Sequence, residues 1–323
     1  MSSSADDRRI RSLRPLKPAV DPWRAHGTLI EEERRPNGTI ERALTVFLAG
    51  AECPFTCAFC DLWRWTIDGP TPRGALPEQL AEALRSHDGR APAADRLKLY
   101  NASNFFDRRA VPAEDLPAIA ALAAPFAGVT VESHANTIGP PIMEFSRQIE
   151  GRLEVAVGLE TVHPVAAARL NKRLELTRFD QAARFLTDHG IDLRVFVLLG
   201  AAYVPFDETV EWTVRTVEHA VEHGASVVSI IPVRGGNGEM ERLASLGLFA
   251  PPSLSQLETA LDRSLAFSAA SITADLWDAG GLARCSACGA ARIERLRRIN
   301  VTGLAESAIA CPLCDPSSRP DIQ

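Results

Sequence analysis

The sequence predicts an α/β fold built from repeating βα units, and two patterns carry that reading. Short apolar runs rich in Val, Ile and Leu recur near 43–49, 96–101, 129–133, 153–159, 192–199 and 226–232. They read as strands without polar alternation, as expected when both faces are buried. Between them lie stretches of helical spacing near 77–87, 113–124, 140–149, 163–188, 207–223 and 254–268. Such units, joined by right-handed crossovers, form either an open doubly wound sheet or a barrel. No GxGxxG follows the first run, so the usual mark of a dinucleotide-binding sheet is missing. In either architecture the chemistry belongs at the C-terminal ends of the strands.

Each element has its own signals. Residues 1–26 are polar and basic and read as a flexible arm. TLIEEERR and TIERALTVFLAG flank Asn37-Gly38, a hairpin signal, and the second run ends as the first buried strand. Pro77 with Glu78, Pro112 ahead of Glu114, Thr177 and Asp207 mark helix starts, and the 163–188 segment breaks near Leu176–Thr177. Gly190 and Gly224 sit where helices should stop. Residues 272–284 read as a bridging strand and loop, 285–315 as a small module, and SSRPDIQ as a tail. The expected division is therefore a basic arm (1–26), a core with an N-terminal hairpin (27–271), and a cysteine module with its tail (272–323).

Composition narrows the function classes. The 323 residues are 46% hydrophobic and 24% charged, which excludes a disordered or fibrous chain. A net charge of −6 argues against a cationic coat for nucleic acid but leaves room for a local basic groove. No apolar run approaches the ~20 residues of a membrane span, and the basic N-terminus lacks the apolar core of a secretory signal. A cytoplasmic protein without a membrane partner is expected.

The seven cysteines divide three and four. Their odd number and tight spacing read as metal ligation in a reducing compartment rather than as a disulfide framework. In AGAECPFTCAFCDLW, Cys53, Cys57 and Cys60 form CxxxCxxC directly after the first buried strand. Thiolates suit iron–sulfur clusters or zinc. Three cannot supply the four ligands of a four-iron cluster, which leaves one iron open to a small molecule. Zinc completed by a distant His is the alternative. Cys285–Cys288 and Cys311–Cys314 are two CxxC knuckles around a 22-residue insert, the spacing of a four-cysteine zinc site. An auxiliary iron–sulfur cluster is the rival occupant. The basic insert offers Arg292, Arg295, Arg297 and Arg298 either to phosphates or an acidic partner, or to solvent.

CxxxCxxC after the first strand of a βα repeat, with Phe59 before the last cysteine, resembles the radical S-adenosylmethionine (SAM) superfamily. The resemblance implies a partial (β/α)6 TIM-like barrel, to which the turn and knuckle signals above add an N-terminal hairpin and a small C-terminal zinc-ribbon-like module. It implies a [4Fe–4S] cluster on Cys53, Cys57 and Cys60 whose open iron is chelated by SAM. Reductive cleavage then yields methionine and a 5′-deoxyadenosyl radical. It further implies SAM contacts from Phe59, from Asn101 and Ser103 in YNASN, which lacks the paired glycines of relatives, and from Glu132 in VESHAN toward the amino group. Glu160 in GLET is implied for the ribose hydroxyls and Lys172 in RLNKRLE for the carboxylate. NASNFFDRRAVP, ESHAN and EVAVGLET…LNK are similar to the radical SAM subunit that works with archaeosine synthase on transfer RNA. That group stands near the methylthiotransferase and elongator-acetyltransferase-like enzymes. This narrower likeness implies a large substrate, transfer RNA or a partner enzyme as partners, and flavodoxin or ferredoxin as electron donor. A small metabolite or a protein as substrate is the alternative within the class. A non-redox zinc-binding interaction protein is the alternative outside it.

Other signals are weaker. His219, Glu222 and His223 in VEHAVEHG form HxxEH, but at the end of an outer helix, the wrong context for a peptidase. Arg234–Gly238 (RGGNG) is a glycine turn at the catalytic end. His134, His163 and Tyr203 lie near strand ends, and Trp63 and Trp65 stand where they would shield a cluster or fill the core.

Overall fold

The computed structural model describes residues 4–87 and 94–314, so the tail expected at 317–323 lies outside the described residues. Helix α1 (Ala5–Leu13) precedes β1 (Gly27–Arg34) and β2 (Ile40–Phe47). These two strands pair antiparallel, and Asn37 Oδ1 accepts the Thr39 amide at 3.0 Å to fix the turn between them. The βα units follow as α2 (Ala75–His87), β3 (Arg96–Tyr100), α3 (Leu116–Ala123), β4 (Gly128–Ser133), α4 (Pro140–Ser146) and β5 (Arg152–Glu160). Next come α5 (Pro164–Arg169), α6 (Leu176–Asp188), β6 (Asp192–Leu199), α7 (Thr209–Glu222) and β7 (Val227–Pro232). The chain closes with α8 (Glu239–Ser245), α9 (Leu254–Ser264), β8 (Ser271–Ala274) and α10 (Gly289–Thr302).

All eight strands form one sheet in the order β1 to β8, parallel from β2 onward. The sheet curls into a nearly closed barrel, and Ser271 Oγ on β8 donates to the Arg34 carbonyl on β1 at 2.7 Å. The six expected strands are β2 to β7, and the bridging strand is β8, a full member of the sheet. The break in the 163–188 segment lies at 170–175, with Glu175 rather than Thr177 as the N-cap of α6.

Contrary to the expectation of continuous apolar strands, the strands alternate. Leu97, Leu99, Val129, Val131, Val155, Val157, Val195 and Val197 share one core with Leu80, Ile119, Phe145, Phe179 and Leu186 of the helices. The alternate residues Lys98, Thr130, Glu154 and Arg194 are also buried, but they interact with one another. Arg194 donates to Glu154 at 2.8 Å and to Glu33 of β1 at 2.7 Å, while Lys98 reaches Glu33 at 2.6 Å. Arg35 adds an ion pair with Glu154 at 2.7 Å. Buried charges persist only when paired in this way. Strand β1 thus carries acids across the barrel to β6, and the network plugs the interior beneath the mouth.

Two further expectations change. Residues 5–13 are not a loose arm: α1 has a capping box from Ser4 and buries Asp7 and Ile10. The segment between the C-terminal knuckles is not a ribbon but helix α10, and it is no free-standing module. Its Leu296 and Ile299 belong to the barrel core. Asn300 accepts from the Ala274 amide at 2.9 Å and donates to its carbonyl at 2.8 Å, which covers the free edge of β8. Among the described residues no helix is long and apolar enough to cross a membrane.

Candidate radical SAM site and C-terminal metal centre

Cys53, Cys57 and Cys60 are free thiols in the loop that leaves the C-terminal end of β2. Burial pushes all three thiols up to about 12, against the pull of backbone amides at Phe55 on Cys53 and Leu62 on Cys60. Metal ligation offsets that cost by displacing the thiol protons to solvent. A cleft of about 410 Å³ lies beside Cys53, lined in part by Arg11, Arg14, Glu52 and Arg109.

Remote segments converge on this loop. Asp7 of α1 accepts from Thr56 Oγ1, from Arg173 and, at 3.0 Å, from Asn171 Nδ2. Asn171 also donates to the Thr56 carbonyl at 2.8 Å. Burial works to raise the Asp7 pKa, but these hydrogen bonds outweigh it and hold the carboxyl well below its ordinary range. From the other side Asn237 donates to the Ala58 carbonyl at 2.8 Å. The RGGNG turn is therefore a buttress of the cysteine loop, and its Arg234 pairs with Asp275 at 2.8 Å. Phe55 stacks on His134 at 3.9 Å between ring centroids. His134 Nε2 donates to the Lys172 carbonyl at 3.0 Å while Nδ1 accepts from Asn136. Burial and the Lys172 charge push His134 down to about 3, so it stays neutral in that tautomer.

The structure brings the expected SAM contacts to the same mouth, in altered roles. The half-buried Glu132 carboxylate accepts the Asn101 amide at 2.7 Å, with Ala102 and Ser103 amides nearby. Burial raises it to about 7 against these amides. Glu132 thus shapes the loop after β3. That loop presents the Asn101 side-chain amide and the Ser103 hydroxyl, both buried and without a protein partner. Such orphaned groups cost about 1–3 kcal/mol each unless a ligand or water satisfies them. Glu160 and Lys172 meet each other at 2.7 Å. Burial disfavours the Lys172 charge, but Glu160 and the neighbouring Cys57 and Cys53 outweigh it and raise its pKa.

Glycine at 158 makes this approach possible. A Cβ there would stand 2.0 Å from Glu160 Oε1 and 2.7 Å from Lys172 Nζ. Glu160 itself has φ +72°, and Ala102, Asn171, Arg173 and Tyr203 are also left-handed. Backbone strain is concentrated in the connections at the mouth, as is common at functional sites.

Other candidates fall outside. His163 caps α5 by accepting the Ala166 amide at 3.1 Å, and the Tyr203 ring lies under Arg169. Phe59 packs against a second apolar cluster that includes Ala58 and Leu170. Trp63 is buried beneath Arg14, whereas Trp65 is half-exposed against His26. Asp7, Thr56, Asn171 and Gly158 belong to no motif that marks these roles, and Asn237 is marked only as part of the Arg234–Gly238 turn.

At the C-terminus, Cys285, Cys288, Cys311 and Cys314 place all four sulfurs within 4.8 Å of one another. Cys285 and Cys311 are 4.0 Å apart, and Cys288 and Cys314 3.6 Å. Backbone amides of Cys288 and Ala287 lower the Cys285 pKa, which favours the thiolate. The four arginines of the insert are all paired with acids of the same chain, Arg292 and Arg295 largely covered and Arg297 and Arg298 on the surface. Arg292 pairs with Glu258, Arg295 with Asp262 at 2.8 Å, Arg297 with Glu294, and Arg298 with Glu306 at 2.7 Å.

No family model matches the chain, and no curated protein matches it in sequence. In structure it is similar to a radical SAM methyltransferase from Sphaerobacter thermophilus, with TM-score 0.53 and 15% identity over 84% of this chain and 81% of that one. It is also similar to the archaeal Elp3 of Methanocaldococcus infernus, with TM-score 0.52 and 10% identity over 69% of this chain and 59% of that one. A third likeness is to methylornithine synthase (PylB), with TM-score 0.50 and 14% identity over 70% and 63%. The chain spans less than two thirds of the length of the Elp3 and PylB structures. At such identities the likeness is one of fold, and the chain has the fold of radical SAM enzymes.

Proposed function

We propose that this chain is a radical SAM enzyme. Cys53, Cys57 and Cys60 would hold a [4Fe–4S] cluster, and SAM would fill the mouth beside it. The observation that carries this reading is the pairing of three half-buried free thiols with the orphaned Asn101 amide and Ser103 hydroxyl across one barrel mouth. When bound and reduced by one electron, the cluster supplies cleavage of SAM to methionine and a 5′-deoxyadenosyl radical, which takes a hydrogen atom from substrate.

The chain's own residues bind and orient. Asn101 and Ser103 offer donors and acceptors to the polar groups of SAM. Lys172 keeps two ammonium protons beyond the one given to Glu160, enough for a carboxylate. Glu160 retains free lone pairs for hydroxyls. The polar plug beneath closes the barrel, so substrate enters from the strand C-terminal side. An acidic one-electron donor of the flavodoxin or ferredoxin type is the partner this reading requires, and Arg11 and Arg109 beside Cys53 suit its approach. The internal pairing of the α10 arginines gives no support to transfer RNA as substrate.

The C-terminal cysteines would take a single tetrahedral ion, zinc, rather than an auxiliary cluster. A Zn–S bond of about 2.3 Å gives sulfur–sulfur edges of about 3.8 Å, and the observed 3.6 and 4.0 Å bracket that value. A four-iron cube would hold its thiolates farther apart. The test is anaerobic reconstitution with iron and sulfide, metal analysis, and incubation of the reduced protein with SAM. Four iron, one zinc and 5′-deoxyadenosine are expected. Two zinc, no sulfide and intact SAM would instead establish a non-redox zinc protein.

A further inference from the structure

On the helical wall, Asp180 of α6, His219 of α7 and His223, the C-cap of α7, bring a carboxylate oxygen and two imidazole nitrogens within 4.8 Å of one another. The two histidines are one helical turn apart, so their rings stack at 4.1 Å with 26° between planes. His219 Nε2 lies 2.8 Å from Asp180 Oδ1, and His223 Nε2 lies 3.5 Å from the same oxygen. His223 Nδ1 stands 2.8 Å from the His219 carbonyl. A carbonyl only accepts, so Nδ1 carries the proton, and Nε2 of the neutral ring turns a bare lone pair toward the carboxylate. Two lone pairs facing each other repel. A cation between them removes the conflict, and the Nδ1 hydrogen bond already orients the ring as metal-binding histidines require.

We propose that Asp180, His219 and His223 bind a divalent first-row transition ion that clamps α6 to α7. Two imidazoles and a carboxylate suit zinc, nickel or cobalt. The three side chains are partly exposed, so the ion enters from solvent and water completes its shell. Glu222 of the HxxEH pattern is not a ligand, and the third donor comes from a different helix. His223 directly precedes Gly224 and β7, at the end of the barrel opposite the mouth. The ion is therefore structural, remote from the cysteine loop.

The test uses the full chain with its iron and its cysteine-bound metal in place, titrated with Zn2+ by calorimetry and thermal denaturation. One further equivalent per chain and a raised Tm are expected. Binding should weaken at least tenfold in His219→Ala, in His223→Ala and in Asp180→Asn, the last of which keeps the side-chain shape. Co2+ at the same site should show d–d bands without intense thiolate charge transfer. The proposal fails if no further equivalent binds, because Asp180 then serves only a protonated His223. It fails equally if a His219→Gln/His223→Gln variant with wild-type circular dichroism binds Zn2+ as tightly as the parent, or if the cobalt spectrum is that of a thiolate site.

Discussion

Cys53, Cys57 and Cys60 sit in a loop pinned by α1, by the Asn237 turn, by His134 and by the segment around Asn171. Cys285, Cys288, Cys311 and Cys314 are gathered at the N-terminal end of α10, where the segment that follows the helix returns to it. The first group is half-buried, and desolvation pushes its thiols up to about 12. In the second, local amides lower the pKa of Cys285. Of the two cysteine groups, only the second closes to the 4.8 Å separation of a single-ion site. A site built for an open cluster needs outside support to keep one face free, whereas a closed tetrahedral site needs only its own knuckles.

The sharpest way to break this comparison is to remove one ligand from each site. Cys57→Ala should abolish 5′-deoxyadenosine formation and lose the iron while zinc stays at one per chain. Cys288→Ser should lose zinc and lower the Tm while the iron–sulfur absorbance persists. Loss of both metals in either variant would show that the sites are one folding unit.

Gly158→Ala is the next largest effect. A Cβ among the Glu160 and Lys172 head groups forces them apart, and a fall of about 100-fold in SAM cleavage is expected, with iron content unchanged, from misplacement of about 1 Å. Measuring turnover against iron content separates this from cluster loss.

Glu33→Gln probes the plug. Burial raises the Glu33 pKa, but Arg194 and Lys98 outweigh it and lower it to about 2. A carboxylate held below its unfolded value contributes stability that is complete above the ordinary carboxylate range and fades as pH falls through about 2. The variant should be destabilised by about 3 kcal/mol at neutral pH, since it strands the facing cations. It should also show a flatter loss of stability below pH ~4.5, as read by denaturant melts across pH.

Asp7→Asn is the mildest. It weakens the bonds to Thr56, Asn171 and Arg173 without deleting the side chain, a loss of about 1–2 kcal/mol. Faster release of iron to a chelator, with no change at the C-terminal ion, is the expected readout. Equal release would mean that α1 covers the loop without holding it.

Much of this was legible because it is local. The CxxxCxxC spacing, the two CxxC knuckles and the Asn37-Gly38 hairpin are short-range chemistry. The βα alternation rests on periodicity within each segment. The polar alternation inside strands such as RLKLY and DLRVF was present in the sequence, yet charged residues facing a barrel interior look like solvent-facing ones until their partners on other strands are known. The same holds for Asp7, whose segment reads as an exposed basic arm because Thr56, Asn171 and Arg173 are far away in the chain.

The sequence alone determined the succession of βα units along the chain, the two sets of thiols and the loop that carries the first of them, because each depends on neighbours a few residues apart. Only the tertiary structure decided that Glu160 meets Lys172, that Glu132 serves the loop after β3, that α10 belongs to the barrel core, and that Asp180 joins two histidines from another helix. Those pairings span long sequence separations. They are selected by the burial energy of the whole sheet rather than by any local preference.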